Sequence, residues 1–254
     1  VIPAYKSPAF TSWFARDAER RIRTAFDGVY VRGLAGLRDA LARGPLLVVT
    51  NHTAWWDPLV SLMVGVRLLG ADAYALMDAK NLERLPFFGR VGAFGVTLGD
   101  PADGARAIRY AAKLLVAPVS TQGPRATRAP NRLVWIFAQG REVPVTVRPL
   151  GFRAGAGEVA RVARRAAVVA GALRYEMGSA PRPALWASFD AAEGGATATT
   201  ESLEARVTTE LDRIEGALGG NDEGFEPVQA PRGDATFSLA QTALSWIARP
   251  RALR

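Results

Sequence analysis

Pro45-Leu46-Leu47-Val48-Val49-Thr50-Asn51-His52-Thr53-Ala54-Trp55-Trp56-Asp57-Pro58 joins an apolar run, a polar break and a helix start in one stretch. The run 46–51 is short, β-branched and uninterrupted, the pattern of a buried strand. Asp57-Pro58 opens a helix, with aspartate suited to the N-cap and proline to the first helical position. Between them lies His52, the only histidine of the chain and so its only side chain with an unperturbed pKa near neutrality. On one continuous helix, residues five apart point about 140° away from each other. A turn over 53–56 would instead let His52 and Asp57 face one another. The carboxylate would then hold one ring nitrogen, leaving the other to take a proton from a substrate hydroxyl. That is the His–Asp part of a serine-protease triad with the substrate's own alcohol in place of serine. The spacing alone is equally compatible with a structural strand-end histidine and a capping aspartate.

Outward from this stretch, strand-like runs recur at 29–34, 73–77, 94–98, 133–137, 167–173 and 184–189, with helix-like segments at 58–69, 103–116 and 156–165. The alternation predicts an α/β fold with a mainly parallel or mixed central sheet flanked by helices. Active sites in such sheets gather at the carboxyl ends of strands, where His52 falls. Residues 8–26 read as an amphipathic helix with Trp13 and Phe14 among arginines, suited to packing on the core or to lying on an anionic bilayer, with a disordered arm as the third alternative. The polar, proline-punctuated stretch 120–131 is a surface loop, with a substrate lid as its functional reading. After Asp190 the composition shifts to a small-residue linker (191–200), a charged amphipathic helix (201–218), an irregular Gly/Asp/Pro-rich stretch (219–234) and a tail (237–253) that suits docking or a bilayer equally. Three parts are expected: an N-terminal helical segment 1–28, a catalytic domain 29–190 and a C-terminal extension 191–254.

Composition narrows the chemistry. Among 254 residues there is no cysteine, which excludes disulfides and thiolate nucleophiles. With one histidine, a zinc site would need carboxylates for its other ligands, an unusual set, and no metal is expected. No apolar stretch reaches the roughly 18–20 uncharged residues of a membrane span; 59–69 comes nearest and Arg67 interrupts it. The start, Val1-Ile2-Pro3-Ala4-Tyr5-Lys6, lacks the pattern of a secretory signal. The net charge is +8, and every basic residue except Lys6, Lys80 and Lys113 is arginine. This suits an anionic membrane surface or a phosphate-bearing substrate; no nucleic-acid module is present, and no nucleic-acid partner is expected.

Asn-His-x4-Asp-Pro after an apolar strand resembles the first block of the lysophospholipid (1-acylglycerol-3-phosphate type) acyltransferase family. Leu85-Pro86-Phe87-Phe88-Gly89 is similar to the second block, and Phe137-Ala138-Gln139-Gly140-Arg141 to the third, usually Phe-Pro-Glu-Gly-Thr-Arg. Val168-Val169-Ala170-Gly171-Ala172-Leu173 occupies the place of the fourth. The resemblance spans roughly 30–190 and implies a glycerol-3-phosphate acyltransferase-like fold. It implies transfer of a fatty acyl group from acyl-CoA or acyl carrier protein, as co-substrate with no cofactor, to a lipid hydroxyl. His52 would be the base and Asp57 its orienting partner, at the cytoplasmic face of the cell membrane as a peripheral protein.

Departures from the family pattern concern the acceptor. The second block ends in Gly95-Val96-Thr97-Leu98-Gly99-Asp100 without the usual arginine. In the third, Gln139 replaces glutamate and Arg141-Glu142 replaces Thr-Arg. A glutamine keeps hydrogen-bonding capacity without charge. Gln139, Gly140 and Arg141 are thus candidates for substrate binding, with Arg106 as a substitute phosphate ligand and Trp55 and Trp56 as walls of an acyl or sugar pocket. The expected acceptor is a glycolipid or other non-phosphate lipid; the alternatives are a 1-acylglycerol-3-phosphate acyltransferase and a catalytically idle lipid-binding relative. A hydrolase is disfavoured by the absence of a Gly-x-Ser-x-Gly elbow.

Overall fold

A computed structural model describes residues 1–116 and 131–230. The tail 237–253 and nearly all of the loop 120–131 lie outside the described residues. In chain order the elements are α1 (Pro8–Ala25), β1 (Val29–Arg32), α2 (Leu34–Arg43), β2 (Leu46–Thr50), α3 (Asp57–Leu62), β3 (Asp72–Asp78), α4 (Ala79–Arg84), β4 (Ala93–Val96), α5 (Pro101–Val116), β5 (Arg132–Phe137), α6 (Gly155–Val162), β6 (Ala167–Glu176), β7 (Ala184–Phe189), β8 (Glu193–Gly194), α7 (Thr200–Leu218) and β9 (Phe225–Gln229).

The strands form one mixed sheet in the order β4-β3-β5-β2-β6-β7-β1-β9, with β8 pairing off this path on β6. From β4 to β6 all neighbours are parallel. β7 then returns antiparallel to β6, β1 lies parallel to β7, and β9 is antiparallel to β1. β2 sits between β5 and β6 and is buried along its whole length, which is why its sequence is an unbroken apolar run rather than an alternation. The period of two still divides its neighbours. Val48, Leu133, Trp135, Val169 and Leu173 face the side covered by α1–α3. Leu47, Val49, Val134, Ile136 and Val168 face α5 and α6. A third cluster seats Val207, Leu211 and Ile214 of α7 on Ala170, Ala172 and Trp186. α7 begins with a reciprocal cap between Thr199 and Ser202.

The single helix expected over 58–69 is instead α3 followed by a π-helical turn, Met63–Leu68, in which the Leu69 N–H reaches the Val64 carbonyl. Gly65 allows this wide turn to press on β3: a Cβ there would lie 3.1 Å from that of Ala73. The stretch 219–234, expected to be irregular, contributes β9. Its Glu226 and Pro227 break the strand pattern in sequence, and both are tolerated because β9 lies at the sheet edge.

α1 packs on the core: Ala15, Ala18 and Ile22 are buried, and Phe14 sits against Phe87 and Phe88. Trp13 stays 54% exposed. Among the described residues, no helix is long and apolar enough to cross a membrane.

Candidate active site

The carboxyl end of β2 is tied down by a succession of hydrogen bonds. The Thr50 carbonyl accepts from the Ala138 N–H at 3.0 Å, and its hydroxyl oxygen accepts from the Trp135 indole at 2.9 Å. Buried Asn51 ends the strand by bonding with its side chain to both the N–H and the carbonyl of Leu173, at 2.8 and 2.9 Å. It thereby takes over the ladder pairing of a strand that has stopped. His52 follows with both backbone groups engaged. Its N–H donates to Gln139 Oε1 at 2.7 Å, and its carbonyl accepts from the Val143 N–H at 2.9 Å. The imidazole stacks on Phe137, 4.8 Å between centroids.

The chain then turns over Thr53–Trp56 and enters α3, with the Asp57 N–H bonded to the Ala54 carbonyl. Asp57 is 0% exposed. Its Oδ2 lies 2.7 Å from His52 Nδ1 and accepts from the N–H groups of Thr53 and Ala54 at 2.7 and 3.1 Å. Its Oδ1 accepts from the Tyr175 hydroxyl at 2.6 Å. Every group facing the carboxylate is a donor, so the hydrogen shared with the imidazole is assigned to Nδ1. Nε2 is left as an acceptor. The expected helix cap is corrected here: Asp57 is the first helical residue, after Trp56. Its carboxylate reaches back to the turn before it, because that turn's donors and the imidazole hydrogen-bond it there, whereas a capping side chain reaches forward. Burial, joined by the charge of Asp57, pushes the Tyr175 phenol well above its ordinary pKa, so it stays a neutral donor near pH 7.

His52 opens onto a cavity of about 470 Å³ between α3, α4 and the faces of β3 and β5. Its walls are largely apolar, from Leu59, Leu62, Leu85, Phe88, Leu133 and Trp135 among others. Its charged lining groups are Asp78, Arg84, Arg141 and Glu142, two of each sign. This volume falls within the range of small-molecule sites.

The residues expected to bind substrate separate into two sets. Trp55, Gly140 and Arg141 line the cavity with His52. Trp55 is 61% exposed, and Arg141 has no side-chain hydrogen bond or ion pair among the described residues. Gln139, Trp56 and Arg106 are not in the lining. Gln139 is buried and works as a strut: besides accepting from His52 N–H, its amide donates to the Leu150 carbonyl at 3.0 Å. Trp56 packs edge-on against Phe26, 5.1 Å between centroids. Arg106 is occupied by Asp103 at 3.0 Å. Sequence reasoning missed Tyr175, whose signal was faint: it continues the face set by Val169 and Leu173, two residues beyond the expected strand end. It also missed Asp78, Arg84 and Glu142 as lining groups. Among the described residues, no three histidine, aspartate or glutamate side chains cluster as metal ligands would.

The chain is similar to the crystal structure of the 1-acyl-sn-glycerophosphate (LPA) acyltransferase PlsC from Thermotoga maritima, with a TM-score of 0.56 over 83% of this chain and 80% of that one at 13% identity. At that identity the likeness speaks to the fold. A search among curated proteins finds no match. The model of the Acyltransferase family matches residues 29–172, from β1 into β6 and across both dyad residues, and the chain belongs to that family.

Proposed function

We propose that this protein moves a fatty acyl group from acyl-CoA or acyl carrier protein to a hydroxyl of a lipid acceptor, with His52 as general base and Asp57 as its orienting partner. The observation that carries this reading is the 2.7 Å contact of His52 Nδ1 with a fully buried Asp57 carboxylate at an apolar cavity. Nε2 would take the acceptor's proton as its oxygen attacks the thioester carbonyl. The tetrahedral intermediate would collapse by breaking the C–S bond, with the thiolate receiving the proton from the imidazolium. The apolar walls suit an acyl chain, since each buried methylene is worth about 0.8 kcal/mol.

For the acceptor we favour a glycolipid or other non-phosphate lipid. Asp78 and Glu142 offset Arg84 and Arg141 in the lining, a balance that suits an uncharged headgroup better than a doubly charged phosphate monoester. A 1-acylglycerol-3-phosphate acceptor is the second reading, favoured by Arg141, which has no side-chain partner among the described residues. We place the protein at the cytoplasmic face of the cell membrane; exposed Trp13 and Trp55 support attachment to a lipid surface.

The test is to incubate the purified protein with labelled acyl-CoA and a lipid extract, then identify the products by mass spectrometry. Acylated glycolipids are expected. Phosphatidic acid as the sole product would overturn the acceptor assignment, and no acylated product with either donor would overturn acyl transfer.

A further inference from the structure

Tyr175 stands outside the cavity lining, yet it completes the surroundings of the dyad. Of the two oxygens of Asp57, Oδ2 takes three donors, and Oδ1 takes the Tyr175 hydroxyl alone among the described residues. Tyr175 reaches that position through the geometry of β6. The pairing of β2 with β6 ends at Thr50 and Gly171, but β6 runs on to Glu176, held past its partner by antiparallel pairing with β7 in the register Tyr175–Leu185. Side chains on one face recur every second residue, so Val169, Leu173 and Tyr175 share the α3 side of the sheet. The overhang lifts Tyr175 above the end of β2, where Asp57 enters. Its ring packs on Phe26, 5.5 Å between centroids, and Phe26 packs on Trp56. None of these three rings lines the cavity.

We propose that Tyr175 is a positioning residue of the catalytic dyad: its hydroxyl anchors Asp57 Oδ1 so that Oδ2 faces His52 Nδ1, and it moderates the charge that the imidazole meets. The inference rests on the His52–Asp57 reading above. A carboxylate that shares its charge with a phenol O–H stabilises an adjacent imidazolium less than one that does not. Without the hydroxyl, the Thr53 and Ala54 N–H groups still hold Oδ2 against Nδ1, so the imidazole meets a fuller negative charge and becomes more basic, while the unanchored Oδ1 leaves the pair less precisely aligned.

Tyr175→Phe removes none of the other charges around the dyad. Arg141 and Glu142 follow β5, and Asp78 and Arg84 lie at the end of β3 and in α4. On β6, Arg174 and Glu176 flank Tyr175 and pair with each other at 2.8 Å. α1, packed on α3, brings Glu19 paired with Arg67 and Arg23, and Asp17 paired with Arg20 and Arg21.

The single histidine makes a direct experiment possible. In Tyr175→Phe, which keeps the ring on Phe26, the His52 ring nitrogens are titrated by ¹⁵N NMR beside the wild type. The expected result is a titration midpoint at higher pH, with the acid limb of kcat/KM moving the same way. kcat should fall about tenfold, equivalent to ~1.4 kcal/mol, just under the roughly 1.5–3 kcal/mol that a hydrogen bond to a charged group is worth. KM for the acyl donor should hold, because Tyr175 does not line the cavity. An unchanged midpoint would overturn the proposal, as would loss of activity by a KM rise alone. A drop in thermal stability without a moved midpoint would make Tyr175 merely structural and would also overturn it. The NMR titration needs no substrate, so its outcome separates this inference from the acyl-transfer reading, which His52→Ala tests on its own.

Discussion

The dyad and the cavity mouth lie side by side and are built in opposite ways. At His52 and Asp57 the polar groups are matched internally: both backbone groups of His52 and both oxygens of Asp57 have partners. At the mouth, Arg141 has none among the described residues, and Trp55 is largely exposed. In the proposed reaction, the groups that must keep one geometry are held by the fold, whereas those that would meet a substrate are left available to it. The difference also sorts the third block into roles. Gln139 belongs to the fixed region, as a strut under His52, and Gly140 and Arg141 belong to the open one.

The comparison breaks most visibly at Asp57. Four donors converge on its carboxylate, and an amide must turn its NH2 toward some of them. Asp57→Asn should therefore misorient the imidazole or reverse its tautomer, lowering kcat by about 10³–10⁴-fold with little change in KM. Steady-state kinetics check this, and a KM effect without a kcat effect would place Asp57 with the mouth instead.

Gln139→Glu tests the strut. A carboxylate can still accept from the His52 N–H but cannot donate to the Leu150 carbonyl, leaving two acceptors face to face in a buried place. The expected cost is about 1–3 kcal/mol of stability, read as a fall in Tm of about 2–4 °C per kcal/mol for a chain of this size. If the variant were as stable as wild type with acceptor selectivity altered, Gln139 would belong to the open region.

At the mouth, Arg141→Ala should raise KM for the acceptor by about tenfold, or ~1.4 kcal/mol, with kcat nearly unchanged, the signature of binding lost equally in ground and transition states. Glu142→Gln should improve the use of a phosphate-bearing acceptor relative to a neutral one. No change in that ratio would remove electrostatic selection from the account.

The smallest effect is expected away from both regions. Arg67 holds Glu19 of α1 at 2.7 Å and, with Arg23, keeps its carboxyl below the usual glutamate range. A depressed carboxyl pKa stabilises the fold above the unfolded value and ceases to do so as pH falls through the folded one. Arg67→Ala should thus cost about 0.2–1 kcal/mol near neutral pH. The difference in Tm from wild type should vanish in acid, and a difference that persisted there would assign the loss to packing.

How far this was legible in the sequence depended on whether a feature was local. β2, β5 and β7 announce themselves as apolar runs because central strands are buried on both faces. The His52–Asp57 contact is legible because both ends of the turn carry signals, a strand end and an Asp-Pro helix start. The direction of the Asp57 carboxylate was not, since N-cap propensity describes the common forward bond and tertiary donors decided otherwise. Tyr175 lay beyond local reasoning: the overhang of β6 depends on a partner strand, β7, that enters later in the chain. β9 was hidden because an edge strand tolerates proline and charge, so its sequence carries little strand pattern. Trp55 and Trp56 are adjacent and identical in type, yet one faces the cavity and the other the core. Only the turn geometry separates them.

The measurement that bears most directly on the central claim is the initial rate of acyl transfer from labelled acyl-CoA by His52→Ala, at saturating donor and acceptor. A general base contributes about 10²–10⁴-fold, so the rate should fall by that factor while acceptor binding, followed separately, persists. Transfer at the wild-type rate would contradict the account, because the chain has no second histidine to take over the proton.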